Sequence, residues 1–372
     1  MRFLHVSDLH IGKKVKGFSL YEDQIHVLKQ IINTAKAKDV DGIIIAGDIY
    51  DTSMPSGEAV NCFDEFISEI HSLGISCYVV SGNHDSVSRV AFGSNIMAKE
   101  KIYFAKKYSG LITPIEADKE TNIWLLPFIR PVDVREYHSD FEVGSYEDMM
   151  RTVIGNLKIN PKKTNILVAH QFITKSGVSP QTSDSETVSL GTLDNIDFSN
   201  FDKFDYVALG HIHKPQSMGR ETVRYAGSPL KYSFSEKNDK KSMVIIDCLK
   251  KKISLDYVSF KPIRDMKEFA GKFEDLVKLP KTDDYARIVL QDENYIVDVK
   301  QKLETNFTNI MEIVYDNLYT RENKHIKKAE LIEKQTPQEL FGIFYELQNN
   351  KKLNSEQKKI VEKVFEDLEG AL

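Results

Sequence analysis

Short apolar runs alternate with amphipathic stretches through the first 260 residues. Residues 3–7, 42–46, 77–81, 123–126, 165–169 and 206–209 are apolar and too short for a helix, so they predict buried strands. Between the first three, residues 21–38 and 58–73 carry apolar side chains at helical spacing. The resulting strand–helix–strand–helix–strand order predicts an α/β core with parallel strands and right-handed crossovers. Three later apolar segments, 222–226, 242–247 and 252–260, follow one another without helices and predict hairpins that close a second sheet.

The pattern changes near residue 261. Within 261–319, a strand over 286–290, a helix over 296–306 and a strand over 311–315 predict a small βαβ-type unit. Residues 320–335 form a charged linker. The tail, 336–372, reads as two short amphipathic helices. Thr336-Pro337-Gln338-Glu339 is a capping box with proline at the first helical position. Leu340, Phe341, Phe344 and Leu347 then share one face, and Ile360, Val361, Val364, Phe365 and Leu368 share another. Helices this short are marginal alone in water, so these faces are expected to bury, either back on the chain's own first domain or, as the sharper reading, in a groove of a partner chain.

Composition narrows the class. A chain of 372 residues with 41% hydrophobic residues can bury a full core without staples. Its three cysteines, Cys62, Cys77 and Cys248, are scattered and odd in number, which argues against a disulfide framework. The opening MRFLHVSDLHIG lacks the apolar core of a signal peptide, and no apolar run reaches membrane-spanning length; a cytoplasmic protein is expected. A net charge of −5 is the opposite of the footprint of a protein that grips nucleic acid by charge alone. Any such role must rest on local basic patches, metal ions or a partner.

The chemistry gathers where the predicted strands end. Asp8-x-His10, Gly47-Asp48-x-x-Asp51, Gly82-Asn83-His84-Asp85, His170 and Gly210-His211-x-His213 each close a strand. In open α/β sheets, ligands bind outside the carboxyl ends of the strands. Residues i and i+2 of an extended segment point the same way, so Asp8 and His10 can grip one ion, and His211 and His213 can face one site. A mixture of carboxylate and imidazole without thiolate suits Mn, Fe or Zn. Each pair alone is weak. Five in this order, each closing a strand, are specific.

The order of these motifs resembles the calcineurin-like metallophosphoesterase superfamily. The longer strings FLHVSDLHIGK, IAGDIYD, SGNHDSVSR, AHQF, SDSE and GHIHKPQ, followed by YAGSPLKYSFSE, resemble the SbcD family of bacterial nucleases. The resemblance implies a β-sandwich flanked by helices, with a small α/β capping domain and C-terminal helices. It implies Asp8, His10, Asp48 and His213 around one metal, and Asp48, Asn83, His170 and His211 around a second, with Asp48 bridging. His84 matches the family's catalytic histidine, and Asp51 a supporting position. Two divalent ions about 3.5–4 Å apart would neutralise a phosphodiester and activate water, with Mn²⁺ the expected pair. His84, free of ligation, would protonate the departing oxygen, and the Asp51 carboxylate could orient its ring.

The expected activity is cleavage of DNA, as a 3′-to-5′ double-strand exonuclease and a single-strand or hairpin endonuclease. The implied partners are a homodimer mate and an SbcC-type coiled-coil ATPase. By family analogy, residues 86–99 and 146–157 are candidate dimer contacts. The alternative is a phosphoesterase for small molecules or phosphoproteins, which would need neither the extra domain nor the tail. His26, His71, His138 and His325 read as surface groups, His5 and Trp124 as core. Arg89, Arg130, Lys214, Lys231 and Lys237 lie near motif loops and are candidate phosphate contacts.

Overall fold

The computed structural model describes residues 1–138, 144–186 and 195–316, with nine isolated positions in the tail. Two six-stranded sheets lie at its centre. In the first, the order is Lys252–Ser259, Ser242–Leu249, Arg2–Val6, Gly42–Ala46, Ser76–Val80, Ile102–Phe104. The last four run parallel; Ser242–Leu249 is antiparallel to Arg2–Val6. In the second, Arg220–Tyr225, Tyr206–Gly210, Thr164–His170 and Thr121–Leu126 run parallel, with short antiparallel strands at both edges.

The apolar runs are continuous because both faces of these strands are covered. Phe3, Ile44, Ala46, Tyr78 and Val80 of the first sheet pack against Ile123, Leu125, Ile166, Val168, Tyr206 and Ala208 of the second. Leu4, Val6, Ile43, Ile45 and Val79 point outward beneath the helices Tyr21–Ala37 and Gly57–Ser72. The second of these starts at Ser56, whose hydroxyl accepts from the Ala59 amide at 3.2 Å. On the far side, Trp124, Leu167, Ala169, Val207 and Leu209 meet Met149, Met150, Val153 and Ile154 of the helix Tyr146–Gly155. The result is a helix–sheet–sheet–helix sandwich.

Two expectations change here. The hairpin of Ser242–Leu249 and Lys252–Ser259 completes the first sheet, and only Arg220–Tyr225 joins the second. The Met1 amino group and the Cys248 amide tie the chain's start to this hairpin, which makes Arg2–Val6 an interior strand. The small unit holds three parallel strands, Met266–Gly271, Thr282–Leu290 and Phe307–Tyr315, with the helix Val299–Leu303 shorter than the pattern predicts. It has a core of its own around Ile288, Leu290, Leu303 and Phe307. Met266, Tyr285 and Met311 instead join the outer core of the first sheet, which docks the small unit on the helix Tyr21–Ala37.

The linker 320–335, with His325, lies outside the described residues, as do most of the tail helices, including Phe344 and Phe365. Among the tail positions described, Gln357 donates to the Tyr345 hydroxyl at 2.9 Å, and Phe341, Ile360 and Val364 are exposed. His5 and Trp124 are buried, with partners in Tyr206 (3.0 Å) and Asn165 (3.1 Å). All three cysteines are buried and unpaired. Among the described residues, no helix is long and apolar enough to cross a membrane.

Candidate metal centre

The strand ends of both sheets meet at one edge of the sandwich. The loop after Arg2–Val6 runs beside the loop after Gly42–Ala46: the Asp8 amide donates to the Gly47 carbonyl (3.0 Å), and the His10 amide to that of Asp48 (2.9 Å). Four residues of these loops hold an unusual backbone conformation. Asp8, His10, Asp48 and His211 all have positive φ, from 44° to 100°, a region that side chains other than glycine avoid. Glycine is required where these loops touch. A Cβ on Gly210 would stand 1.9 Å from the Ala46 carbonyl oxygen, and one on Gly82 2.1 Å from Asp48 Oδ1.

All nine residues singled out from the sequence fall in this crevice. His10 Nε2 and His213 Nε2 are 3.1 Å apart. Asp48 Oδ2 lies 3.6 Å from His10 Nε2 and 3.3 Å from His170 Nε2, between the two halves of the cluster. Asn83 Oδ1 is 3.0 Å from His170 Nε2 and 2.9 Å from His211 Nδ1. Asp8 Oδ1 accepts from the His211 amide at 3.0 Å, and its other oxygen accepts from Ser7 at 2.5 Å. Three groups of side chains have ligand atoms close enough to share an ion: Asp8, His10 and His213; Asp8, Asp48 and His170; His10, Asp48 and His84.

The donor set fits divalent cations. His170 Nδ1 is committed to the Ala46 carbonyl at 2.8 Å, so a neutral ring turns its Nε2 lone pair toward two oxygen acceptors. Buried acceptors facing one another need added protons or a cation. Without a cation, protons serve. Burial raises the Asp8 carboxyl to about 7. Burial works against a charged His170, but the Asp48 carboxylate beside it raises that imidazole to about 9. Burial opposes the Asp48 charge too, and the imidazoles around it, His170 first, hold its carboxyl below the usual range. Burial lowers His211 to about 3 and His213 to about 4, so both rings stay neutral, the form that binds metal.

His84 and Asp51 differ from expectation in their contact. His84 Nδ1 lies 2.9 Å from the Asp51 main-chain carbonyl. The Asp51 carboxylate turns the other way, to Lys13 Nζ at 2.7 Å and toward His10 Nδ1 at 3.5 Å. Burial would raise the Asp51 carboxyl, but His10 and Lys13 bring it down to about 2.

A family model of the calcineurin-like phosphoesterases matches residues 1–215. A second family model, the type 5 capsule protein repressor C-terminal domain, matches residues 260–349. The chain is 31% identical over 369 residues to the SbcD component of the SbcCD nuclease of Staphylococcus epidermidis, with 96% of each chain covered. The chain belongs to the SbcD family of calcineurin-like phosphoesterases. It is also similar to a dimetal phosphatase from Danio rerio (TM-score 0.43, 11% identity, 69% of this chain and 95% of that one).

Sequence reasoning leaves out the residues behind this family's metal cluster. Asp85 is buried and accepts from the amides of Ile49, Tyr50 and Gly82 at 3.1, 3.0 and 2.9 Å, which clamps two motif loops together. Its signal is its place in Gly82-Asn83-His84-Asp85, where a turn is the simpler reading. Gln24 holds the His10 carbonyl at 2.6 Å from the helix Tyr21–Ala37, and nothing local marks it. Of the basic candidates, Lys231 pairs with Asp265 (2.8 Å) and Lys237 with Glu268 (2.5 Å), so both tie the small unit to the catalytic domain. Arg130 pairs with Asp133, and Lys214 approaches Asp239 at 3.8 Å. Arg89 stays exposed, donating to the Ser53 carbonyl.

Proposed function

We propose that the chain cuts DNA as the nuclease component of a two-protein complex, with Asp8, His10, Asp48, Asn83, His170, His211 and His213 holding two Mn²⁺ ions. The placement of Asp48 Oδ2 within 3.6 Å of His10 and 3.3 Å of His170 carries this reading, because a carboxylate there can serve both halves of a metal pair. Two ions bound there would neutralise the phosphodiester and activate a water for attack.

The protein's own groups supply the rest. With its Nδ1 proton held by the Asp51 carbonyl, His84 can act only through Nε2, which donates a proton to the departing sugar oxygen. The buried rings of His10 and His213 exclude bulk water from one side of the cluster. Lys13, Lys14 and Lys16 line a cleft of about 420 Å³ with Asp184, Ser185, and Arg287 and Glu312 of the small unit. Lys13, Lys16 and Arg287 are ion-paired with Asp51 and Glu312, and a nucleic-acid backbone would have to compete for these cations.

The relative is one component of SbcCD, which supports a second protein as partner. We assign the exposed tail residues Phe341, Ile360 and Val364 to the coiled-coil ATPase. For a homodimer, Phe92 (82% exposed) and Ile96 (72%) within 86–99 offer an apolar contact, whereas the apolar side of Tyr146–Gly155 is used up against the second sheet.

The test is a metal panel on linear duplex and hairpin DNA, with bis(p-nitrophenyl) phosphate as the small substrate. Mn²⁺ should outperform Mg²⁺, which prefers oxygen shells, on all three. Hydrolysis of the small ester with no release of nucleotides from DNA, even with the ATPase added, would favour the small-molecule reading.

A further inference from the structure

His213 is held on every side but one. Its amide donates to Glu186 Oε1 at 2.7 Å. Its carbonyl accepts from the Ser228 amide at 3.0 Å and from Lys241 Nζ at 2.7 Å. Its Nδ1 lies 2.6 Å from the Ser185 hydroxyl oxygen. That hydroxyl is in turn 2.6 Å from Glu236 Oε1, and Glu236 is fully buried and ion-paired with Lys241 at 2.6 Å.

The direction of the protons follows from what each group can do. A carboxylate accepts and never donates, and a charged acceptor at 2.6 Å outcompetes neutral ones. The Ser185 proton therefore goes to Glu236. The Ser185 oxygen is left facing His213 Nδ1 with a lone pair, so Nδ1 carries the ring proton. Nε2 is then bare, and it is the atom that converges with His10 Nε2 at 3.1 Å. Glu236 cannot take this part directly, being 4.0 Å from Nδ1. The hydroxyl bridges the gap.

We propose that Ser185, backed by the buried Glu236–Lys241 pair, is a positioning residue that fixes the Nδ1–H tautomer of His213 and presents its Nε2 to a divalent cation. This rests on the metal-centre reading above. It also gives a role to Ser183-Asp184-Ser185-Glu186, a string between the His170 and Gly210-His211-x-His213 motifs: Ser185 and Glu186 grip the His213 ring and main chain, and Ser183 braces both from 2.8 Å and 3.2 Å.

The experiment uses the full chain as wild type, Ser185→Ala and Ser185→Thr. Two readings are taken: the tautomer of His213 in metal-free protein by ¹⁵N NMR, and Mn²⁺ binding by calorimetry. In wild type the ring should be the Nδ1–H tautomer, and two Mn²⁺ should bind. Ser185→Ala should weaken one of the two sites by about 10–100-fold, spare the other, and give a mixed tautomer signal. Ser185→Thr, which keeps the hydroxyl, should restore both. An Nε2–H tautomer in wild type overturns the proposal, even if the alanine variant does not fold. So does unchanged binding of both ions by Ser185→Ala, which leaves the metal centre standing. Failure of wild type to bind Mn²⁺ at all overturns the metal-centre reading, and this one with it.

Discussion

The Nδ1 atom of His84 lies 2.9 Å from the main-chain carbonyl oxygen of Asp51, and not near its carboxylate. A carbonyl can only accept, so the contact fixes the ring proton on Nδ1 and survives any change of the Asp51 side chain. His84 also has a nitrogen close enough to His10 and Asp48 to share an ion, so proximity alone does not separate acid from ligand. The variants do. His84→Gln should keep both metals by elemental analysis and lose about 10²–10⁴-fold in turnover. Asp48→Asn should lose metal together with activity. Asp51→Ala should cost less than His84→Gln, acting only through His10 and Lys13. A His84→Gln protein that purifies with less metal would make His84 a ligand.

Metal uptake should expel protons in a pH-dependent count. Without metal, the Asp8 carboxyl is raised to about 7 and the His170 imidazole to about 9. Both must be deprotonated to ligate. Near pH 6 each holds a proton, so Mn²⁺ binding should release about two; near pH 8 Asp8 is already ionised, and the release should fall to about one. Affinity should rise with pH across this interval for the same reason. Calorimetry in buffers of different ionisation enthalpy reads the count directly. A binding enthalpy independent of buffer at pH 6 would mean that these two groups do not carry the protons that the metal replaces.

The strands and their terminal motifs are legible in the sequence because they are buried on both faces. Gly42–Ala46, with Ile43 and Ile45 outward and Ile44 inward, has no polar side to blur the run, and its end is marked by Gly47 and Asp48. The strand Met266–Gly271 has no such run. Only Met266 is buried, and the residues after it are half-buried or exposed without strict alternation, so local pattern does not distinguish it from a loop. The placement of Ser242–Leu249 in the first sheet is a matter of topology. Its neighbour in sequence, Arg220–Tyr225, pairs elsewhere, and no periodicity encodes which edge a strand joins. Ser185 and Glu236 lie in the strings SDSE and YAGSPLKYSFSE, but what they touch is hidden in the same way, as is Gln24. Each acts on His10 or His213, brought to it by tertiary structure alone.

Gly82 sets a steric limit on the site. A Cβ there would meet Asp48 Oδ1 at 2.1 Å and the Asp48 amide nitrogen at 2.5 Å. Asp48 cannot give way without losing the bond from the His84 amide to its Oδ1, at 2.9 Å. Gly82→Ala should therefore destabilise the metal-free protein by about 1–3 kcal/mol and abolish high-affinity Mn²⁺ binding. Gly57→Ala is the control: it opens the helix Gly57–Ser72 with nothing within 4 Å of the new methyl, and should be neutral or slightly stabilising. Thermal melts with and without Mn²⁺ check both. A Gly82→Ala protein still stabilised by Mn²⁺ as strongly as wild type would show that the loops adjust.

The small unit is pinned to the catalytic domain at Asp23. This carboxylate is buried and accepts from the Arg264 amide and Nη1, both at 2.9 Å, and from the Tyr285 hydroxyl at 2.8 Å. Arg264 also reaches Glu22 at 2.7 Å, and Tyr285 meets Phe18 edge to face. Asp23 is the wrong residue to change, since its neighbour Gln24 supports the His10 carbonyl. Arg264→Ala combined with Tyr285→Phe removes two of the three donors from the small unit's side and leaves that support in place. The Arg264 side chain is partly exposed, so the cost should be about 2 kcal/mol, below the ~3–5 kcal/mol of breaking a fully buried pair. Protease cleavage between 260 and 266 should speed up. Hydrolysis of bis(p-nitrophenyl) phosphate should stay near wild type, because no ligand moves. Degradation of duplex DNA should fall several-fold, because the cleft between Lys13–Lys16 and Arg287 needs both units in register. If both activities drop together, the contact maintains the catalytic fold itself and does not place the small unit for DNA.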